Sequence, residues 1–355
     1  MKPLRVHFMS GRTYRFESCS NTFKILIIPC KMPASELSHI TPPNQTTVAS
    51  HLQHKLKQDT YAGPRSENEY NRLRLQHEFI KYAMDGALVL APVDMNSPSL
   101  RVLDSATGDG YWLVDLSQKL EPSSVLIGAD IALQHSILKS ELPRNVSLIH
   151  HNIFDRWADE YRQSFDLVHQ RFVLMACNDQ NSVEAIRRLF ECIKPGGWIQ
   201  LHDGDMDTIE DGPENKAMIK FREIARTGWK TLGFNLSPGP KLAGWLKEVG
   251  AVDIEDRVLY IKCGKRSPDL NQGEKVIQML VASLDNMIGL SKSTYRRNVA
   301  RYLAESIINY YSDIPGFPYP PEEIEQLKED MPEELRRVGN CYRTHVVWAR
   351  KAHVQ

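Results

Sequence analysis

From Leu100 onward the chain alternates between two kinds of segment, and this alternation constrains the fold more than any other feature. Short apolar runs ("LRVLD", "SVLIGAD", "VSLIHHN", "SFDLVHQ", "WIQLHD") are separated by stretches such as "YWLVDLSQKL" and "SVEAIRRLFECI", whose apolar residues recur at helical spacing. Brief, nearly all-apolar strands joined by helices are strands buried on both faces. They predict an open, mainly parallel α/β sheet with right-handed crossovers. "KLAGWLKEVGA" then reads as a helix stopped by glycine, "VDIEDRVLYIK" as a strand and "THVVWAR" as a final strand.

In such a sheet ligands bind beyond the carboxyl ends of the strands. The first strand runs into "RVLDSATGDGYW", where Asp104 closes the strand and Gly108 and Gly110 open the following helix. Glycines there let a backbone approach a ligand closely. A dinucleotide would call for glycines at G-x-G-x-x-G spacing, but Leu113 holds the third position, and Asp104 would repel a diphosphate. S-adenosylmethionine has no phosphate and carries a cationic ammonium and sulfonium, so a strand-end acid suits it. Asp130, 20 positions beyond Gly110, ends the second strand, where a carboxylate can accept from both ribose hydroxyls. Asn152 follows the third strand and can accept from an adenine amino group, with the Ile153 N–H donating to the ring. Ile131 or Phe154 is placed to cover the adenine, and Gln170 and Arg171 end the fourth strand.

Charge and cysteine content narrow the function class. The 355 residues carry 44 basic and 44 acidic side chains, so there is no basic excess of the kind that marks a nucleic-acid partner. Six scattered cysteines form no C-x-x-C pair, which argues against a zinc site or a disulfide framework and suits a reducing, cytoplasmic compartment. The apolar run Ile25–Pro29 is too short for a signal core or a membrane span. These features point to a small-molecule enzyme, with monomer and homodimer both open.

Outside the alternating region, residues 1–57 are rich in Ser, Thr, Pro and Asn and read as a poorly ordered extension. Residues 58–98 read as a helical cap. "SENE" has the form of a capping box at Ser66, and Tyr70, Leu73, His77, Ile80 and Met84 mark one helix face. Residues 99–355 form the main domain, with a helical insertion at 264–340 before the last strand, supported by Val276, Met279, Leu280 and Leu284 and by Val299, Leu303 and Ile307.

Taken together, "RLRLQHEFIKYAMDGALVLAPVD", "RVLDSATGDGYWLVDLS", "LIGADIA", "FDLVHQR" and "KPGGWIQL" resemble the fungal secondary-metabolite methyltransferases. These include the gliotoxin-pathway N-methyltransferase type and relatives of the fungal global regulator of secondary metabolism. The resemblance runs from about Tyr61 to Leu201. It implies the class I methyltransferase fold, a Rossmann-like open sheet of seven strands with the last antiparallel. It also implies S-adenosylmethionine as cofactor, and a helix bearing Gln76 and His77 packed over it. The implied reaction is methyl transfer to N or O of a small apolar metabolite; a cofactor-binding regulatory or scaffold protein without turnover is the alternative. Two positions depart from the family. Ala106 replaces the first loop glycine, and its methyl excludes only left-handed backbone, so binding is expected to survive. Asn152 replaces an acid. As candidate bases we single out His202, which closes the fifth strand with Asp203, and His77 on the apolar helix face. Histidines in such places are more commonly satisfied core residues. Phe172, Met175, Trp229, Phe234 and Trp245 are candidates for an apolar acceptor pocket.

Overall fold

The computed structural model describes residues 67–133, 142–285, 287 and 318–353, together with three strands nearer the N-terminus. Those strands, β1 (Leu4–His7), β2 (Arg12–Cys19) and β3 (Thr22–Pro29), form an antiparallel sheet of their own in the order β1-β2-β3. Strand pairing within 4–29 departs from the loose extension expected for 1–57. The β-branched content of "TFKILIIP" favours extended pairing.

The main unit is built on a seven-stranded sheet. Its strands are β4 (Arg101–Ser105), β5 (Val125–Asp130), β6 (Val146–His150), β7 (Phe165–Arg171), β8 (Ile193–Asp205), β9 (Val252–Cys263) and β10 (Asn340–Arg350). The spatial order is β6-β5-β4-β7-β8-β10-β9. Pairings among β4 to β8 are parallel, whereas β10 runs antiparallel to both β8 and β9. This is the class I methyltransferase arrangement, with its strand order reversing at β4, where a crevice opens.

Period-two alternation sends buried residues to both faces. Val102, Leu126 and Leu167 pack with Trp112, Leu113 and Leu116 of α2 (Tyr111–Ser117). Leu103, Ile127 and Val168 face the other way, against Ile186 and Leu189 of α3 (Asp179–Cys192) and, further along the sheet, Leu242 and Leu246 of α5 (Leu242–Glu248). A third cluster joins Phe79 and Ile80 of α1 (Glu67–Ala83), Met218, Phe221 and Ile224 of α4 (Lys216–Leu232) and Leu259 and Val346 of the sheet. Val276, Met279, Leu280 and Leu284 of α6 (residues 270–285), and Ile324, Leu327, Met331 and Leu335 of α7 (Pro321–Arg337), belong to it too.

The described residues differ in detail from the sequence expectations at two points. Within 58–98 only α1 is helical; residues 84–99 are turns and bends. Buried Gln200 ties that segment to the sheet: Oε1 accepts from the Leu90 and Ala91 amides, and Nε2 donates to the Leu88 carbonyl at 3.0 Å. Ser66, Val299, Leu303 and Ile307 lie outside the described residues. Helix α4, to which the sequence reading assigned no element, roofs part of the crevice. No helix among the described residues is long and apolar enough to cross a membrane.

Candidate active site

The loop after β4 is shaped by three left-handed residues, Ala106 (φ 54°), Gly108 (φ 63°) and Gly110 (φ 85°). They turn the chain sharply enough for the Thr107 amide to reach back to the Ala129 carbonyl at 3.1 Å and the Gly108 amide to reach Asp130 Oδ2 at 2.9 Å. Asp130 Oδ1 accepts from the Ala132 amide at 2.8 Å, so one carboxylate joins the glycine loop to the end of β5. Ala106 is a correction to the sequence reading. The position requires the left-handed region that alanine was expected merely to forgo, and an L residue there carries strain of about 1–2 kcal/mol.

A cavity of about 360 Å³ opens on this loop. Of the residues singled out from sequence, it brings together Gln76, Ala106, Gly108, Asp130, Ile131, Asn152 and Ile153. Asn152 also makes an Asx turn, its Oδ1 accepting from the Phe154 amide at 3.1 Å, while Phe154 packs into the core rather than onto the cavity. Helix α1 covers the loop. Arg74 pairs with Asp109 at 2.8 Å, and a Cβ built on Gly108 would lie 3.6 Å from Leu73 Cδ1. Away from the loop the lining turns apolar, with Phe172, Met175, Met206, Phe221, Trp229, Phe234, Met279 and Met287. Trp245 is not among them; it belongs to the core beneath α5.

Besides Phe154 and Trp245, five of the singled-out residues (Asp104, Gly110, Gln170, His77 and His202) stand behind the wall instead of lining the cavity. Asp104 is buried and engaged on both oxygens, accepting from Thr107 Oγ1 at 2.5 Å and facing His169 Nδ1 at 2.7 Å, so it braces the strand end. Gly110 is the N-cap of α2, and any side chain there would press on Leu148. Gln170 is buried and donates from Nε2 to Ser105 Oγ at 3.1 Å, a link between β7 and β4.

Neither candidate base reaches the cavity. His77 Nε2 lies 2.8 Å from Asp115 Oδ2, which also accepts from Lys81 Nζ at 2.6 Å. Facing a carboxylate, Nε2 carries the proton, and Nδ1 accepts from Arg171 Nη2 at 3.2 Å. Both ring nitrogens are occupied. Burial, reinforced by the Arg171 charge, lowers the His77 pKa to about 4. His202 is likewise buried and held neutral, first by desolvation and then by Arg171. Its Nε2 lies 2.9 Å from Thr344 Oγ1, and it is Thr344 that lines the cavity.

The cavity also contains residues to which the sequence gave no role. His151 stacks on Trp157 at 3.6 Å between ring centroids; burial lowers its pKa, and its Nε2 is buried with no hydrogen-bond partner among the described residues. Tyr70, Phe221, Ala225, Tyr342 and Thr344 come from α1, α4 and β10. The helical spacing of Met218, Phe221, Ala225 and Gly228 was available as a signal for α4, but not the direction in which it faces.

Comparison with known proteins places this geometry in context. A methyltransferase-domain family model matches residues 75–255, more than half of the chain. The chain is 34% identical to the N-methyltransferase tcpN of Claviceps purpurea (strain 20.1), covering 81% of this chain and 95% of that protein. It is 30% identical to the N-methyltransferase sirN of Leptosphaeria maculans (83% and 96% covered) and 30% identical to the N-methyltransferase gliN of Aspergillus fumigatus (80% and 94% covered). The similarity spans nearly the full length of these relatives, and the family match takes in the glycine loop: the chain belongs to the methyltransferase-domain family and is an S-adenosylmethionine-dependent methyltransferase.

Proposed function

We propose that this enzyme methylates a nitrogen of a small, largely apolar secondary metabolite, and that its cofactor lies along the glycine-loop end of the cavity. The observation that carries the reading is the polarity gradient of one continuous cavity. Gly108, Asp130 and Asn152 stand at one end, and Met206, Phe221, Trp229, Met279 and Met287 at the other. The polar end fits the cofactor: the loop has no side chain at Gly108, Asp130 presents a carboxylate, and His151 Nε2 is a buried polar atom in want of a partner. Asp130 would take the ribose hydroxyls, Ile131 a face of the adenine, and Asn152, Ile153 and His151 its edge. Gln76, on the covering helix, would meet the methionyl end. When bound, the cofactor supplies an electrophilic methyl group on a cationic sulfur.

The chain's own part is alignment and exclusion of water. Helix α1 closes over the loop, while α4 and α6 supply the apolar walls. Glu69 and Arg72 line the cavity but neutralise each other at 2.7 Å, and the histidines considered as bases stand behind the wall. The acceptor nitrogen therefore has to bring its own lone pair, and the acceleration comes from holding it in line in a desolvated space. An open apolar end also disfavours the scaffold reading, for which a closed acceptor pocket would be expected. That the relatives are named N-methyltransferases supports nitrogen over oxygen. The test is incubation with methyl-deuterated S-adenosylmethionine and fungal metabolite extracts, read by mass spectrometry. A product carrying one labelled methyl on nitrogen is expected; labelling on oxygen only, or cofactor binding without any labelled product, overturns the proposal.

A further inference from the structure

Arg171 ends β7 and lines the cavity, yet among the described residues it forms no ion pair. The other cations around the glycine loop are matched: Arg72 with Glu69 at 2.7 Å, Arg74 with Asp109 at 2.8 Å and Lys81 with Asp115 at 2.6 Å. Among the described residues no carboxylate forms an ion pair with Arg171, and its Nη2 meets the neutral Nδ1 of His77 at 3.2 Å. Burial pulls its pKa down to about 10, opposed by Asp104 and Asp115, which leaves the guanidinium charged at neutral pH. A sheltered cation facing a ligand cavity with most of its five N–H donors uncommitted is a site for an anionic group.

Position decides which anion. The His77 ring that braces Arg171 packs edge-on against Tyr111 at 5.0 Å, and Tyr111 is the first helical residue after the glycine loop. One imidazole ring thus separates the guanidinium from the helix that follows the glycine loop. His77 is itself fixed by Asp115, and Asp115 by Lys81, which gives a chain of contacts from the surface of α1 to the cavity wall.

We propose that Arg171 binds the α-carboxylate of S-adenosylmethionine, and that His77 is a positioning residue, a neutral strut holding the guanidinium toward it. This rests on the cofactor placement above, and the ligands of the test separate the two.

Affinities are measured calorimetrically for S-adenosylmethionine, decarboxylated S-adenosylmethionine and 5′-methylthioadenosine, which has neither carboxylate nor ammonium. The parent protein is expected to bind the decarboxylated cofactor roughly 10- to 100-fold more weakly than S-adenosylmethionine. Arg171→Met should lose the same factor for S-adenosylmethionine only, binding methylthioadenosine as before and the decarboxylated cofactor equally well or more tightly. His77→Leu should show a smaller loss, again confined to the carboxylate-bearing ligand. Equal affinity of the parent for the two cofactors overturns the proposal without recourse to any variant. A loss of methylthioadenosine binding in Arg171→Met equal to its loss of S-adenosylmethionine binding makes Arg171 structural. Methylthioadenosine and S-adenosylmethionine affinities that are both unchanged in Asp130→Ala overturn the cofactor placement itself, and the proposal with it.

Discussion

Substitution of Asp130 tests the architecture of the glycine loop and the cofactor reading separately. The carboxylate accepts the Gly108 amide on Oδ2 at 2.9 Å and the Ala132 amide on Oδ1 at 2.8 Å. Each is a bond to a charged acceptor, of about 1.5–3 kcal/mol. From sequence, Asp130→Asn would be the mild change, since one acceptor remains. The geometry reverses this. Whichever way the amide is turned, its NH₂ points at one of two backbone N–H groups, and a donor facing a donor is worse than an open space that water can enter. Asp130→Asn should therefore destabilise the ligand-free protein by about 2 kcal/mol, no less than Asp130→Ala, with a fall of a few degrees in Tm. Thermal unfolding without ligand reads the loop bonds, and calorimetry with S-adenosylhomocysteine reads the ribose contacts, for which a loss of about 1.5–3 kcal/mol is expected in both variants. An Asp130→Asn protein as stable as the parent would refute the loop argument. Lowered stability with unchanged affinity would instead remove Asp130 from the ribose site.

Other substitutions probe neighbouring features. Ala106→Gly relieves a φ of 54° at the cost of a more flexible unfolded chain, so Tm should rise by the equivalent of up to about 1 kcal/mol; a lower Tm would contradict the strain. His77, surrounded by Asp115, Lys81, Glu78, Arg171 and Tyr111, has its folded pKa near 4, below the usual 6.5. The unfolded chain therefore binds the extra proton first, and the stability from neutral His77 is present above pH 6.5 and lost as pH falls toward 4. Between pH 7 and 5 this amounts to about 2 kcal/mol, a loss that His77→Leu should not share in urea unfolding; parallel pH dependences would refute it. Met279→Ala on α6 should raise the acceptor KM while leaving S-adenosylhomocysteine affinity nearly unchanged, and a fall in cofactor affinity of the same size would place the acceptor elsewhere.

The sheet was legible because strands buried on both faces leave apolar runs with clean punctuation, as in β4, β5 and β7. The glycine-loop crevice was legible because glycines and strand-end acids sit at fixed offsets in such folds, and Gly108, Asp130 and Asn152 line one cavity. What failed was direction. Asp104, Gln170, His77 and His202 have the right chemistry at the right strand or helix position, but each points into buried contacts with Thr107, Ser105, Asp115 and Thr344. Whether a polar side chain faces a crevice or braces its wall is set by tertiary packing, which local spacing does not encode. The role of Arg171, placed from sequence only at a strand end, escaped for the opposite reason: its significance is that no carboxylate among the described residues forms an ion pair with it, a property of three-dimensional surroundings alone.

Strand β10 follows β9 in sequence but lies between β8 and β9, so β9 touches the sheet only through it. A nascent chain can pair β4 to β8 as soon as they emerge, since these strands and their crossovers are contiguous. β9 has to wait, unpaired, while about 80 further residues are made, and long-range closure of this kind is slow. Tyr342 and Thr344, which complete the cavity wall, arrive with the late strand. The residues of the glycine-loop crevice are thus synthesised before Tyr342 and Thr344, and a chain arrested before β10 would expose a sheet edge at β8 that is open to pairing with other chains.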